Sequence, residues 1–496
     1  MKKETYLAFD LGAESGRAVL GTLAGGRVEI REIHRFPNGP VAVGESLHWD
    51  VPGLFGELRH GLKIAAEAGP RLAGMAVDTW GVDFGLVDER GALIGLPRSY
   101  RDPRNAAARD DFLSGFGKSR LYALTGIQFL PFNSLFQLHA LRLAHDPALE
   151  AARRLLFMPD LFTFLLSGSM ATDETIASTS QLLDPRRMAW SEELIAALGL
   201  RSELLNRPLR PGTVVGRLLP EMAAGSGLDE IPVIATAGHD TASAVAAVPA
   251  EGEDWAYISS GTWSLVGLEL PSPLITPEAE RLNFTNEVGL EGRVRFLKNV
   301  TGLWLVAQCR RAWNADGPAS YEDLMAAAAA APPFAAFVDP DDPAFLHPAD
   351  MPESIREFCR RSGQSVPETR GAVVRCALES LALKYRLVLE ELGRLAPRPI
   401  RRVHVIGGGS RNELLCRFTA DAAAIPVVAG PAEATALGNV LGQALALGRV
   451  RSLEDIRTIA AASAAPSVYR PENPSAWDEA YARFKPVVED SRRAHE

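Results

Sequence analysis

Residues 5–23 read TYLAFDLGAESGRAVLGTL, an apolar run ending in Asp10, a glycine and serine corner, and a second apolar run opening on Arg17. Thr5–Asp10 and Arg17–Leu23 carry the β-branched, aromatic and aliphatic residues of buried strands, so LGAESG is expected to join two of them. Gly25-Gly26 then turns the chain into a third strand-like segment, Val28–Phe36. These segments predict an antiparallel meander. Its first corner has no GK[ST] sequence and opens no helix, which excludes a Walker-type loop. Phosphate binding there would have to be that of a hairpin, with glycines admitting the backbone, Ser15 adding a donor and Arg17 offering a bidentate contact. A plain turn uses the same residues, so this corner decides nothing alone.

The same design recurs some 250 residues later. Trp255–Ser259 reads as a strand, Ser260-Gly261-Thr262 as a tight polar turn, and Trp263–Leu270 as the returning strand. Val248–Asp254 (VPAEGED) has the composition of a linker. Two halves opened by similar hairpins predict two related α/β domains, residues 1–249 and 250–496, with a helical tail from about residue 450. A ligand cleft is expected between such domains. Strand and helix alternate elsewhere: Ala73–Asp78 reads as a buried strand, Gln137–Ala144 and Asp160–Ser167 as helices. In the second half, Val403–Ile406 runs into a triple glycine, followed by a helix over Asn412–Ala424, a short strand over Pro426–Ala429, and a helix of small residues through Leu447. Asp339–Pro352 (DPDDPAFLHPADMP) is expected to be a functional or mobile loop.

The 496 residues exceed what one hydrophobic core holds, and 47% hydrophobic with 23% charged residues is an ordinary globular balance. A net charge of -9 speaks against nucleic acid and anionic membrane as partners, because both need a positive field. No apolar run approaches a membrane span and the N-terminus has no apolar leader core, so a cytoplasmic protein acting on small molecules is expected, as a monomer or small homo-oligomer. The four cysteines, Cys309, Cys359, Cys376 and Cys416, form no CxxC pair; reduced structural thiols are expected, with a Cys359–Cys376 bridge left open.

Phosphoryl transfer needs backbone donors around the phosphates, a carboxylate for the metal and a carboxylate beside the acceptor hydroxyl. Asp10 precedes the first hairpin corner. Asp240 lies in AGHDT, between the strand Pro232–Thr236 and a helix of small residues, where an aspartate can equally be a helix cap. A helix N-terminus lowers a carboxyl pKa, which a late proton transfer tolerates. Gly407-Gly408-Gly409 offers bare backbone for a base or ribose, without the GxGxxG spacing of a dinucleotide fold. Trp80-Gly81-Val82-Asp83 suits a sugar pocket, and suits equally a core tryptophan with a turn aspartate.

On AFDLGAESGR (8–17), VDTWGVDFGLVD (77–88), GHDTASAV (238–245), ISSGTWSLVG (258–267), KNVTGLWL (298–305), DPDDPAFLHPADMP, ALESLALKYR (377–386) and GGGSRN (407–412), the chain resembles the FGGY family of carbohydrate kinases over nearly its full length. The resemblance implies an actin-like, ribonuclease H-type fold in each half and transfer of the γ-phosphoryl of ATP, with Mg2+, to O1 of L-rhamnulose. By position, Ala13, Glu14, Ser15, Gly16 and Arg17 resemble the family's phosphate loop, Thr262 its second phosphate contact and Gly408 the adenosine contact. Gly81, His239, Asp240, Thr241 and Asn299 resemble the sugar contacts, with Asp240 the proton acceptor; Asp10 resembles the carboxylate that holds the metal through water. Most of the sugar site thus falls in the first half, and the adenosine site in the second. Two positions depart from the pattern. Glu14 stands where the family has a small residue, and Ala307 stands where a nucleotide-contacting glutamine is expected, with Gln308 one place on. The alternatives are a kinase for another ketose such as L-fuculose or L-xylulose, an actin-like ATPase acting on a partner, and a sugar-binding regulator without catalysis.

Overall fold

The computed structural model describes residues 3–314, 317, 320–346, 348–395 and 399–494. It is a mixed α/β chain of two compact units. The first comprises residues 1–249, 269–297 and 433–464, and the second residues 250–268, 298–432 and 465–496. The first segment of unit one ends at Pro249, beside the expected boundary, but two later segments return to that unit. The units are therefore not simply the two halves of the chain.

The meander forms as expected: strands Glu4–Leu11, Ser15–Ala24 and Arg27–Pro37 pair antiparallel in sequence order. The six-stranded sheet of unit one places Leu72–Thr79 parallel to the first strand, then Pro232–Ala235 and Thr213–Arg217 beyond it. The first strand is buried from Thr5 to Leu11, as a strand covered on both faces must be. Alternation sorts its side chains. Leu7, Phe9 and Leu11 join Leu54, Leu58 and Leu62 of the helix Val51–Glu67, while Tyr6 and Ala8 join Leu437, Val440 and Leu441 of the helix Ala434–Ala446. The helix Val51–Glu67 starts where the Asp50 carboxylate accepts the Gly53 N–H and Pro52 fixes the first turn.

Unit two repeats the opening. Trp255–Ser260 pairs antiparallel with the strand Trp263–Leu270 and parallel with Arg402–Ile406, to which Val427–Ala429 and Ser467–Tyr469 add in turn. The tail is thus not helical throughout. Leu453–Ser463 and Pro474–Arg493 are helices, but the β-favouring Ser467-Val468-Tyr469 becomes an edge strand between them.

The 26-residue helix Arg370–Leu395 carries Lys384, which holds the start of the Asp339–Pro352 segment. Lys384, 1% exposed, reaches Asp339 at 2.6 Å and Asp341 at 2.9 Å, Asp341 accepts the Thr301 N–H, and Asp342 accepts Ser491. A buried ammonium demands such carboxylates, so the described part of this loop is pinned by charge and hydrogen bonds.

Candidate active site

In unit one, parallel register sets Asp10 beside Asp78, and antiparallel register sets Asp10 opposite Arg17. Arg17 donates to Asp10 Oδ2 through Nε at 2.9 Å and Nη2 at 2.7 Å, and pairs with Glu433 through Nη1. Both edges of the guanidinium are engaged by carboxylates, so an incoming phosphate has to compete with one of them. The hairpin corner is closed by Gly12 N–H to Ser15 O, and Asn38 ties it down through Nδ2 to Gly12 O. Ser15 and Ala13 are half-buried on this corner, Gly16 is buried against Phe36, and Glu14 is exposed. Solvent exposure accounts for the tolerance of a charge at Glu14.

Asp78 is fully buried. Asn439 donates to its Oδ2 at 2.6 Å, Gln443 holds Asn439 at 2.8 Å, and Oδ1 has no hydrogen-bond partner among the described residues. Burial, and then the Asp10 charge, push the Asp78 carboxyl well above the usual range.

The loop carrying Asp240 is threaded onto the same sheet. Thr79 N–H donates to Gly238 O, Thr79 and His239 form a parallel bridge, and His239 N–H donates to Thr175 Oγ1. A Cβ at Gly238 would fall 2.3 Å from Asp173 Oδ2, so only glycine admits that approach. Asp240 is the first helical residue and His239 the cap, without a side-chain cap bond. Asp240 Oδ1 takes the Thr241 N–H at 2.5 Å and Oγ1 at 3.1 Å. Its side chain keeps 28% of its surface exposed. The expected lowering by the helix terminus is overruled: desolvation first, and then Asp10, push the carboxyl up to about 7 against the Thr241 bonds. That value suits a general base near neutral pH.

Around it, His239 Nε2 lies 3.4 Å from Asp240 Oδ1, and a Cβ at Gly81 would meet His239 Nε2 at 3.4 Å. The fully buried Arg295 donates to His239 Nδ1 at 3.0 Å and pairs with Glu287 at 3.1 Å. Gly81, His239, Asp240 and Thr241 are thus brought together, with Asp10, Asp78 and Arg17 on the adjoining strands. Asp83, by contrast, is structural. It is fully buried; Oδ2 accepts Trp49 Nε1, Trp80 Nε1 and Tyr100 N–H, and Oδ1 accepts Gln137 Nε2. Four donors from the protein's own packing hold this carboxylate within the core.

In unit two, Thr262 sits half-buried at the second hairpin turn, where its carbonyl accepts the Gly302 and Trp304 N–H groups. The triple glycine packs on the strand before that turn: a Cβ at Gly409 would fall 2.0 Å from Ser260 Oγ, and one at Gly407 3.1 Å from Ser260 O. A Cβ at Gly408 would meet no atom within 4 Å, so packing does not require glycine there. Asn299 lies half-buried on the strand Val294–Thr301, Ala307 is exposed and Gln308 half-buried. All four cysteines are free and buried.

Asp78, Glu433, Asn439, Arg295 and Glu287 were not singled out from sequence. Asp78 stood within a quoted motif and could have been found by noting that parallel strands would align it with Asp10. The others come from distant segments with no local signature.

Unit one thus holds Asp10 on its hairpin, Asp78 buried beside it and Asp240 at the start of a helix, and unit two repeats the hairpin. The FGGY N-terminal domain profile matches residues 5–247 and the C-terminal domain profile residues 256–447, so the chain belongs to the FGGY family of carbohydrate kinases. Among its relatives, a rhamnulokinase of Bacteroides thetaiotaomicron is 50% identical over 486 residues, covering 98% of this chain and 100% of that protein. A rhamnulokinase of Enterococcus faecalis is 41% identical over 95% of each chain. The fold is shared with the ligand-bound xylulose kinase of Lactobacillus acidophilus, at a TM-score of 0.83 and 16% identity over 98% of each chain. The fold is thus the actin-like α/β fold of the sugar kinases. Among the described residues no helix is long and apolar enough to cross a membrane.

Proposed function

We propose that this kinase transfers the γ-phosphoryl group of ATP to O1 of L-rhamnulose, giving L-rhamnulose 1-phosphate and ADP. The observation that carries the substrate is full-length identity of 50% and 41% to proteins named rhamnulokinase. The chemistry rests on Asp240. Its carboxylate, held on Oδ1 by Thr241, takes the proton of the acceptor hydroxyl as the oxygen bonds to phosphorus, and the β–γ bridging oxygen leaves with ADP. Gly81 leaves room beside His239 for the sugar, and His239, Thr241 and Asn299 supply hydrogen-bonding groups toward it. The first hairpin, Ala13 to Arg17, and Thr262 bind phosphate through backbone and hydroxyl donors, and the bare backbone at Gly408 receives the adenosine.

The unpartnered, buried Oδ1 of Asp78 beside Asp10 fits a divalent cation, and Mg2+ bound with ATP phosphates asks for only one or two protein carboxylates. Asp10, with Asp78 behind it, would hold Mg2+, which neutralises charge on the phosphates when bound. We assign the protein to the cytoplasm, acting on small molecules as a monomer or small homo-oligomer.

Asp240→Asn keeps the shape and removes the base. Turnover is expected to fall by a factor on the order of 10³, with ATP binding retained by calorimetry. Unchanged turnover would reduce Asp240 to the first residue of a helix.

A further inference from the structure

Arg295 is donor-only and permanently charged, and is 0% exposed. It stands on the strand Val294–Thr301 directly opposite Glu287 of the antiparallel strand Thr285–Val288. A surface-type ion pair needs no such burial, and Arg295 does more than meet Glu287. Nε and Nη2 both donate to Val288 O at 3.2 Å, and Nη2 also donates to His239 Nδ1 at 3.0 Å.

An imidazole nitrogen facing a guanidinium N–H has to be the acceptor, so Nδ1 carries no proton and Nε2 carries it. The competing acceptor for an Nδ1 proton, Glu287 Oε2, lies farther off at 3.5 Å and is itself drawn to Arg295 at 3.1 Å. On the other side of the ring Nε2 is 3.4 Å from Asp240 Oδ1, and among the described residues Arg295, Glu287 and Asp240 are the charged and titratable groups paired with the imidazole. Burial, and then Arg295, also hold His239 well below its usual pKa. The ring is therefore neutral with a fixed donor on one edge.

We propose that Arg295 is a positioning residue for phosphoryl transfer, locking His239 in the Nε2–H tautomer so that it presents a neutral hydrogen-bond donor toward Asp240 and the acceptor hydroxyl. A donor at that place orients the hydroxyl oxygen while leaving the Asp240 carboxylate to accept the proton. A reversed ring would offer a second acceptor there, and the hydroxyl would have no donor to align it. Arg295 touches neither substrate nor reacting atoms; its effect passes through His239. This rests on Asp240 being the base.

Imidazole nitrogen shifts of the full-length wild-type protein, assigned with His239→Asn, read the tautomer without any variant at Arg295. Nε2 protonated and Nδ1 bare, unchanged from about pH 6 to 8, is expected. A protonated Nδ1 or an imidazolium overturns the proposal, whatever Asp240→Asn does to turnover. The kinetic test is a double-mutant cycle. Arg295→Met is expected to lower kcat on the order of 10²-fold through misplacement of the ring, with Arg295→Lys restoring part of it. In the His239→Ala background Arg295→Met is expected to cost nothing further, whereas multiplied losses would show that Arg295 acts apart from His239.

Discussion

At the scale of single residues, the protein places carboxylates where water is scarce and lets that set their chemistry. Asp240, pushed up to about 7, is protonated below neutral pH, and the base of the proposed mechanism cannot accept a proton in that form. The expected consequence is that kcat/KM falls tenfold per pH unit below about 7 and is flat above it. A profile flat down to pH 5 would mean an unperturbed carboxylate. The sign for stability is the opposite. A carboxyl whose pKa is raised on folding favours the folded state below its ordinary value of 3.8 and loses that advantage as pH rises through about 7. Asp240→Asn is thus expected to melt no lower than wild type at pH 8. Asp83 shows a buried carboxylate in a different role. Burial raises it to about 6, against four N–H donors. Asp83→Ala would strand two indole N–H groups and a backbone N–H, while Gln137 keeps the Phe132 carbonyl, and is expected to destabilise by about 2–5 kcal/mol in urea unfolding. A change below about 0.5 kcal/mol would show that the donors find other partners.

The elements explain what could be read in advance. The hairpins, the strand before Asp240 and the triple-glycine turn were legible because apolar runs bounded by Gly and Ser are local signals. Trp80-Gly81-Val82-Asp83 was readable as either pocket or core, and separating these required knowing that Trp49, Tyr100 and Gln137 converge on Asp83. Asn439 and Glu433 were hidden for a related reason: they lie 361 and 416 residues from Asp78 and Arg17, on or at the start of a helix in which most residues are small or apolar. That helix, Ala434–Ala446, carries Gly438 and Gly442 on one face. A Cβ at Gly438 would fall 1.8 Å from Ser243 O, and one at Gly442 2.1 Å from Thr236 Oγ1. The two glycines let the helix touch the segment that presents Asp240. Gly438→Ala is expected to push the helix Asp240–Ala246 away, lowering kcat on the order of 10²-fold and the melting temperature by several degrees. An active, equally stable Gly438→Ala protein would mean that the contact can relax without moving the base.

Across the whole molecule, the repeat of the antiparallel hairpin was visible from sequence, since both openings are built from the same kind of residues, whereas the parallel strand beside each hairpin came from the fold. The return of residues 269–297 and 433–464 to the first unit was not visible, because nothing in their composition marks which unit they join. In the proposed mechanism the chemistry of transfer rests on groups within the first unit, chiefly Asp240 with Asp10 and Asp78. The choice of sugar does not follow from any one of these groups, and rests on resemblance over the full chain. The most direct test is therefore ADP release by the purified protein in a coupled assay, with L-rhamnulose, L-fuculose, L-xylulose and no sugar in parallel. L-Rhamnulose is predicted to give the highest kcat/KM by at least tenfold, a difference of about 1.4 kcal/mol in transition-state binding. Turnover with L-rhamnulose no faster than with L-fuculose, or than with water alone, would contradict the assignment.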